Sequence, residues 1–212
     1  VNTRLQVEHP ITELTIGQDL LRWQILVAAG QKLPLTQEEI QPRGHAIECR
    51  ICAEDPEQNF MPSTGQLMLY RPPEGPFIRV DSGVREGSEV SVYYDPMLAK
   101  LIVWAPDRDS ALNRMSRALK EFVIVGVANN AMFLRSIIDH PAFRAGDSHT
   151  HFLAEHQIPG KPASGNPLIE DLALAIAAAP KQNLHSTNEH GSSTKPVRIS
   201  PWATSDGWRN HG

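Results

Sequence analysis

The chain has 212 residues, 41% of them hydrophobic and 21% charged, with a formal net charge of −4. The slight acidity and the lack of a Lys/Arg stripe exclude nucleic acid as the main partner. A membrane span is excluded because the longest uncharged apolar-rich run, Leu172 to Ala179, falls far short of the roughly 20 residues required.

The first residues, Asn2 to Glu8, alternate in character and read as a strand ended by His9-Pro10. Thr12 to Ala29 then reads as one helix, with Leu14, Leu20, Leu21, Ile25 and Leu26 near helical spacing and Gly30 as its stop. From Gly44 the pattern changes to short strands at His45–Ala53, Gly65–Tyr70, Phe77–Ser82, Val90–Tyr94 and Leu98–Trp104. Asp109 to Phe122 is an amphipathic helix with Ala111, Leu112, Met115 and Leu119 on its core face, Val123–Val127 a strand, and Asn130–Asp139 a short helix. The predicted class is α+β with an antiparallel sheet. After His156 the chain turns Pro- and Gly-rich, as a linker does. One short helix is predicted over Glu170–Ala179, and the polar stretch from Gln182 to Lys195 reads as disordered. Apolar residues return at Val197, Trp202 and Trp208, as at the entrance to another domain. The opening on Val1, directly into dense motif, reads as a piece of a longer protein, without a signal peptide.

In an extended strand Asn2, Arg4, Gln6 and Glu8 share one face. An Asn oxygen suits Mg²⁺, a guanidinium forks onto a small oxyanion, a Gln amide donates to the same anion, and a Glu can take a proton. Spacing alone does not separate this reading from a solvated sheet face with an Arg4–Glu8 ion pair. Taken alone, Arg79 reads as an exposed strand residue in a surface pair. Cys49 and Cys52 form a C-x-x-C, but within a strand they point to opposite faces and no second pair completes a zinc site. Two cysteines suit a reducing compartment. His140, His149, His151 and His156 share no predicted element and read as solvated or capping residues. Glu48, Arg50, Glu54 and Lys100 read as a salt-bridged structural network.

The run from Asn2 to Glu13 closely resembles the signature of biotin carboxylases. So do Arg43 to Pro56, Phe60 to Gly65 and Tyr93 to Leu101, in order and spacing over about residues 1–156. The resemblance implies four segments: 1–42 the end of an ATP-grasp domain, 43–156 the biotin carboxylase C-terminal lobe, 157–196 a linker, and 197–212 the start of a further domain. It implies ATP-dependent carboxylation of carrier-bound biotin with bicarbonate. Asn2 would ligate Mg²⁺ or Mn²⁺. Arg4, Gln6 and the Val7 backbone would hold bicarbonate, Glu8 would deprotonate it, and Arg79 would hold bicarbonate and stabilise the biotin enolate. The implied partners are a biotin carboxyl carrier domain, a second copy of the lobe and a carboxyltransferase β subunit. The implied compartment is the bacterial cytoplasm or the mitochondrial matrix. Residues 197–209 resemble methylcrotonyl- and geranyl-type subunits, with propionyl and acetyl types as alternatives. The phosphate-binding loop and the other metal ligands of the family lie outside these residues, so the chain alone is expected to be inactive. The competing readings are another ATP-grasp ligase and a noncatalytic dimerisation or scaffold lobe.

Overall fold

The computed structural model describes residues 1–160. The helix expected at 170–179, the disorder expected over 182–195 and the domain entrance expected from 197 all fall outside them.

The expected strand at Asn2–Glu8 does not form. These residues are irregular, and helix α1 starts immediately, at His9–Ile16, with Glu8 in the capping position and Pro10 in the first turn. Pro10 therefore starts a helix instead of ending a strand: its fixed φ suits the first turn, where a missing N–H leaves nothing unpaired. The single helix expected over Thr12–Ala29 is two. Gly17 adopts the left-handed conformation (φ 67°) and closes α1, and Asp19 caps α2 (Leu20–Ala28) by accepting from the Arg22 N–H at 2.8 Å. A glycine followed by an Asp two residues later is a stop and a start.

The strands are β1 (His45–Cys52), β2 (Glu54–Asp55), β3 (Met61–Pro62), β4 (Gly65–Gln66), β5 (Leu69–Arg71), β6 (Ile78–Ser82), β7 (Glu89–Val90), β8 (Met97–Ala105) and β9 (Val123–Val125). Helix α3 (Arg108–Glu121) follows β8. Then α4 (Ala131–Asp139), α5 (Pro141–Ala145) and α6 (Phe152–Glu155) follow β9. All strand pairs are antiparallel, as predicted. The main sheet has the order β1-β8-β6, and two-stranded ladders join β2 to β3, β4 to β7 and β5 to β9.

Several expected strands are shorter. The Gly65–Tyr70 run splits because the Leu67 and Met68 N–H groups turn to different partners, Ser88 O and Val125 O. The Val90–Tyr94 run keeps only its start, and Tyr93 and Tyr94 are exposed. The Val123–Val127 run ends at Val125, where Gly126 (φ 117°) passes so close to β4 that a Cβ would collide with the Gln66 carbonyl oxygen. Only glycine fits both the backbone angle and the space.

Strand alternation gives the main sheet two unlike faces. In register, Cys49 pairs with Leu101 and Ile51 with Ala99, while Val80 pairs with Leu101 and Ile78 with Val103. This face is apolar and joins the buried Leu112, Met115 and Leu119 of α3, the predicted core stripe. Full burial of a Leu or Met side chain contributes about 1.5–3 kcal/mol, so three such residues make α3 the principal cover. The other face carries Glu48, Ile102 and Arg79 in one row and Arg50, Lys100 and Asp81 in the next. Helix α1 packs over it against β1 and β8.

A register irregularity falls between Ile51 and Cys52. Asn130 serves the backbone groups freed there. Its Oδ1 accepts from the Cys52 N–H at 2.9 Å, its Nδ2 donates to the Arg50 carbonyl at 3.1 Å, and its own N–H donates to the Cys52 carbonyl. A buried Asn is tolerated only when its amide is satisfied in this way. Among the described residues, no helix is long and apolar enough to cross a membrane.

Candidate active site

A cleft of about 430 Å³ opens beside α1. Arg4, Gln6, Glu8 and His9 form its polar wall, and Leu20, Trp23 and Val27 of α2 with Leu33 form its apolar wall. The three residues expected to bind and deprotonate an anion thus share a cavity, although the strand that was to align them is absent. They are gathered by a turn. The His9 N–H donates to the Gln6 carbonyl at 3.2 Å, and His9 Nδ1 donates to the same oxygen at 2.7 Å. That bond places the ring proton on Nδ1. Gln6 Nε2 donates to the Arg4 carbonyl at 3.1 Å.

Asn2 is exposed and lies outside the cleft lining. Val7 is held through its backbone: its carbonyl accepts from Lys100 Nζ at 3.0 Å. Glu8 faces a guanidinium, but not the one expected. Arg50 Nη2 donates to Glu8 Oε2 at 3.1 Å.

Arg79 does not line the cleft. Its Nη1 donates to Glu13 Oε2 at 2.7 Å, and its Nε and Nη2 grip both oxygens of Asp81 at 2.7 and 3.0 Å. The Asp81 hydrogen bonds raise the Arg79 pKa further, with Glu13 adding to them. Burial alone would raise Asp81, but the hydrogen bonds and charges of Arg79 and Lys100 outweigh it and hold the carboxyl below its ordinary value. Arg79 is thereby committed to two carboxylates. The signal for Arg50 was present in β1: Cys49 and Ile51 belong to the core, so Arg50 between them must face the other side, where α1 and Glu8 lie.

Glu48, two residues before Arg50 on the same face of β1, has a buried Oε2 without a hydrogen-bond partner among the described residues. Burial raises its pKa above 4.5, against the pull of Lys100 and Arg50. The cysteines behave as expected of inert thiols. Burial pushes Cys49 up to about 12 and Cys52 up to about 11. The histidines are capping or solvated, as expected: His140, His151 and His156 stand at helix caps, and the exposed His149 lies 3.3 Å from Glu155. The His140 and His156 rings also meet at 4.6 Å, both against Phe152. Among the described residues, no group of three or more His, Cys, Asp or Glu can hold a metal ion.

Chemically, the arrangement is a lip that presents a guanidinium, an amide and a carboxylate to a cleft, with a second guanidinium against that carboxylate. Fold and lip together define an α+β lobe with a cleft whose rim carries a guanidinium, an amide and a carboxylate. The biotin carboxylase C-terminal domain family matches residues 48–155, half of the chain. Residues 1–36 match the ATP-binding domain of the carbamoyl-phosphate synthase L chain. The chain belongs to the biotin carboxylase family.

The alpha subunit of the mitochondrial methylcrotonoyl-CoA carboxylase of Mus musculus is 44% identical over 213 residues, 99% of this chain and 29% of its own length. A pyruvate carboxylase subunit of Methanothermobacter thermautotrophicus is 52% identical over 157 residues, covering 74% of this chain and 32% of its own length. Among solved structures, the biotin carboxylase domain dimer of Hydrogenobacter thermophilus 2-oxoglutarate carboxylase, in complex with MgADP and bicarbonate, superposes with a TM-score of 0.75. It is 45% identical, and the match covers 76% of this chain and 36% of that one. The chain therefore spans about a third of the length of these relatives.

Proposed function

We propose that this chain supplies the bicarbonate-binding lip and C-terminal lobe of a subunit that carboxylates carrier-bound biotin at the expense of ATP. One observation carries the reading: the Glu8 carboxylate, facing Arg50 at 3.1 Å, stands on the rim of a cleft that Arg4 and Gln6 also line. The complex of the H. thermophilus domain with MgADP and bicarbonate supports it.

Arg4 and Gln6 hold the bicarbonate oxygens, a guanidinium fork and an amide being matched to a small planar anion. The Val7 backbone lies beside them. Glu8 takes the bicarbonate proton as the anion's oxygen attacks the γ-phosphorus of ATP; the bond from that phosphorus to the β,γ-bridging oxygen breaks, ADP leaves and carboxyphosphate forms. We assign Arg50, paired with the Glu8 carboxylate at 3.1 Å, the charge-stabilising role that the resemblance gives to Arg79, because Arg79 is held by Glu13 and Asp81; a preorganised guanidinium stabilises developing charge without reorganising. The exposed Asn2 amide fits a Mg²⁺ or Mn²⁺ ion as one oxygen ligand. The other ligands must come from outside the described residues. The metal ion would neutralise phosphate charge; carboxyphosphate would split into CO₂ and phosphate, and the phosphate would take the ureido N–H proton of the carrier's biotin as that nitrogen bonds to CO₂.

The further partners are a carrier domain, a second copy of the lobe and a carboxyltransferase β subunit, in the bacterial cytoplasm or the mitochondrial matrix. For the acyl-CoA we favour the methylcrotonyl or geranyl type. The methylcrotonoyl protein matches 99% of this chain, where the pyruvate carboxylase protein matches 74%. The test is ATP hydrolysis by the intact protein with free biotin. Turnover should require bicarbonate and rise with biotin. Hydrolysis indifferent to both would overturn the reading.

A further inference from the structure

Residues 1–8 form no sheet ladder, so something other than secondary structure must fix the lip. At Glu8 the tie is the Arg50 pair, with side chains 52% and 56% exposed, and such wet pairs hold weakly. At Val7 the tie is different in kind. Lys100 is only 12% exposed, and its ammonium donates to the Val7 carbonyl at 3.0 Å while pairing with Asp81 at 3.2 Å. Holding that carbonyl fixes the plane of the Val7–Glu8 peptide, and with it the point from which the Glu8 side chain departs.

A lysine stem is flexible, and its ammonium holds a position only if it is itself anchored. The sheet provides this. Lys100 stands in register with Arg50 on one side and Asp81 on the other. Asp81 is gripped through both oxygens by Arg79, whose Nη1 continues to Glu13. Glu13 Oε1 accepts from the N–H of Leu20, the first residue of α2. One charged array thus runs from the polar lip at Val7, across β8 and β6, to the start of the helix that forms the cleft's apolar wall.

We infer that Lys100 is a positioning residue for bicarbonate. Through the Val7 carbonyl it holds the Arg4–Glu8 lip at the separation from α2 that the anion requires, and Asp81 and Arg79 are its anchors. This rests on the biotin-carboxylase reading of the site. It assigns Lys100 no contact with substrate.

The test is steady-state kinetics of the intact protein with the variants K100M, K100R and D81N, alongside thermal melts. K100M keeps an unbranched stem without the charge. Its KM for bicarbonate should rise roughly 10- to 100-fold, the usual cost of losing a charged hydrogen bond or displacing a reacting group. The KM for MgATP should stay within about twofold, since uniform binding elsewhere is untouched. K100R, which keeps a donor, should recover part of the loss. A structural role alone would move both KM values together with the melting temperature, and that result overturns the inference, as does a folded K100M whose bicarbonate KM is unchanged. If K100M does not fold, D81N decides: a selective but smaller rise in bicarbonate KM supports the inference, and no rise refutes it. A wild-type protein without bicarbonate-dependent turnover would instead refute the functional reading, and the inference with it.

Discussion

Arg50 and Arg79 make opposite predictions when each is cut to alanine. Arg50 and Glu8 are both more than half exposed, so their ground-state attraction is screened and contributes about 0–1 kcal/mol to stability. R50A should therefore melt within a few degrees of the wild type. Its cost falls on turnover. Removing one preorganised donor from a developing oxyanion commonly lowers kcat by about 10²–10³. For Arg79 the order reverses. Glu13 is only 10% exposed and Asp81 29%. Breaking a fully buried ion pair costs about 3–5 kcal/mol. Arg79 is 37% exposed, so solvent reduces this to about 1–3 kcal/mol. At about 2–4 °C per kcal/mol for a chain of this size, R79A should melt about 2–12 °C lower. The folded R79A protein should keep kcat within about tenfold, because its guanidinium is already held by Glu13 and Asp81. Bicarbonate-dependent ATP turnover at saturating substrate, paired with differential scanning calorimetry, reads both axes. A stable R79A protein that has lost turnover, beside an R50A protein that has kept it, would refute this assignment.

Three further outcomes follow from the same structure. N130A leaves the Cys52 N–H and Arg50 carbonyl without their side-chain partner at the sheet irregularity. It should cost about 2–6 kcal/mol in urea unfolding, at about 1–3 kcal/mol for each of the two unsatisfied groups. For Glu48 the folded pKa lies above 4.5. The native state therefore binds its proton more tightly than the unfolded state, and ionisation above that value costs stability. E48Q should be at least as stable as wild type near pH 7. The advantage should shrink as pH falls through the raised folded value and be gone below 4.5, which melts across pH 4–8 would show. With thiols raised to about 12 and about 11, Cys49 and Cys52 should resist iodoacetamide at pH 8 in the native protein. Both should label in denaturant, as intact-mass spectrometry would record.

Much of the lobe was legible because its elements are governed by burial. β8 and α3 bury one continuous face each, and their limits match the sequence reading within two residues. The lip was legible in composition but not in shape. Asn-Thr-Arg-Leu-Gln-Val-Glu alternates as a strand does, yet it pairs with no strand among the described residues, and Pro10 starts α1 directly after it. Arg4, Gln6 and Glu8 still converge because a turn can gather side chains as well as a strand. Charge type alone does not tell a pocket guanidinium from one that pairs with neighbouring carboxylates, so the partners of Arg79 were not legible. That distinction lies in Glu13, 66 residues away, and only the folded chain brings the two together. The Asn130 contacts span 78 and 80 residues and were equally hidden.

The two-faced sheet also limits how this sequence can vary. Along β1 the odd positions feed the core and the even ones the charged surface, so sliding the strand by a single residue would turn Arg50 inward and Cys49 out. Gaining or losing one amino acid within His45–Cys52 would therefore damage packing and chemistry together. Length changes among related proteins should be confined to the turns at either end of the strand.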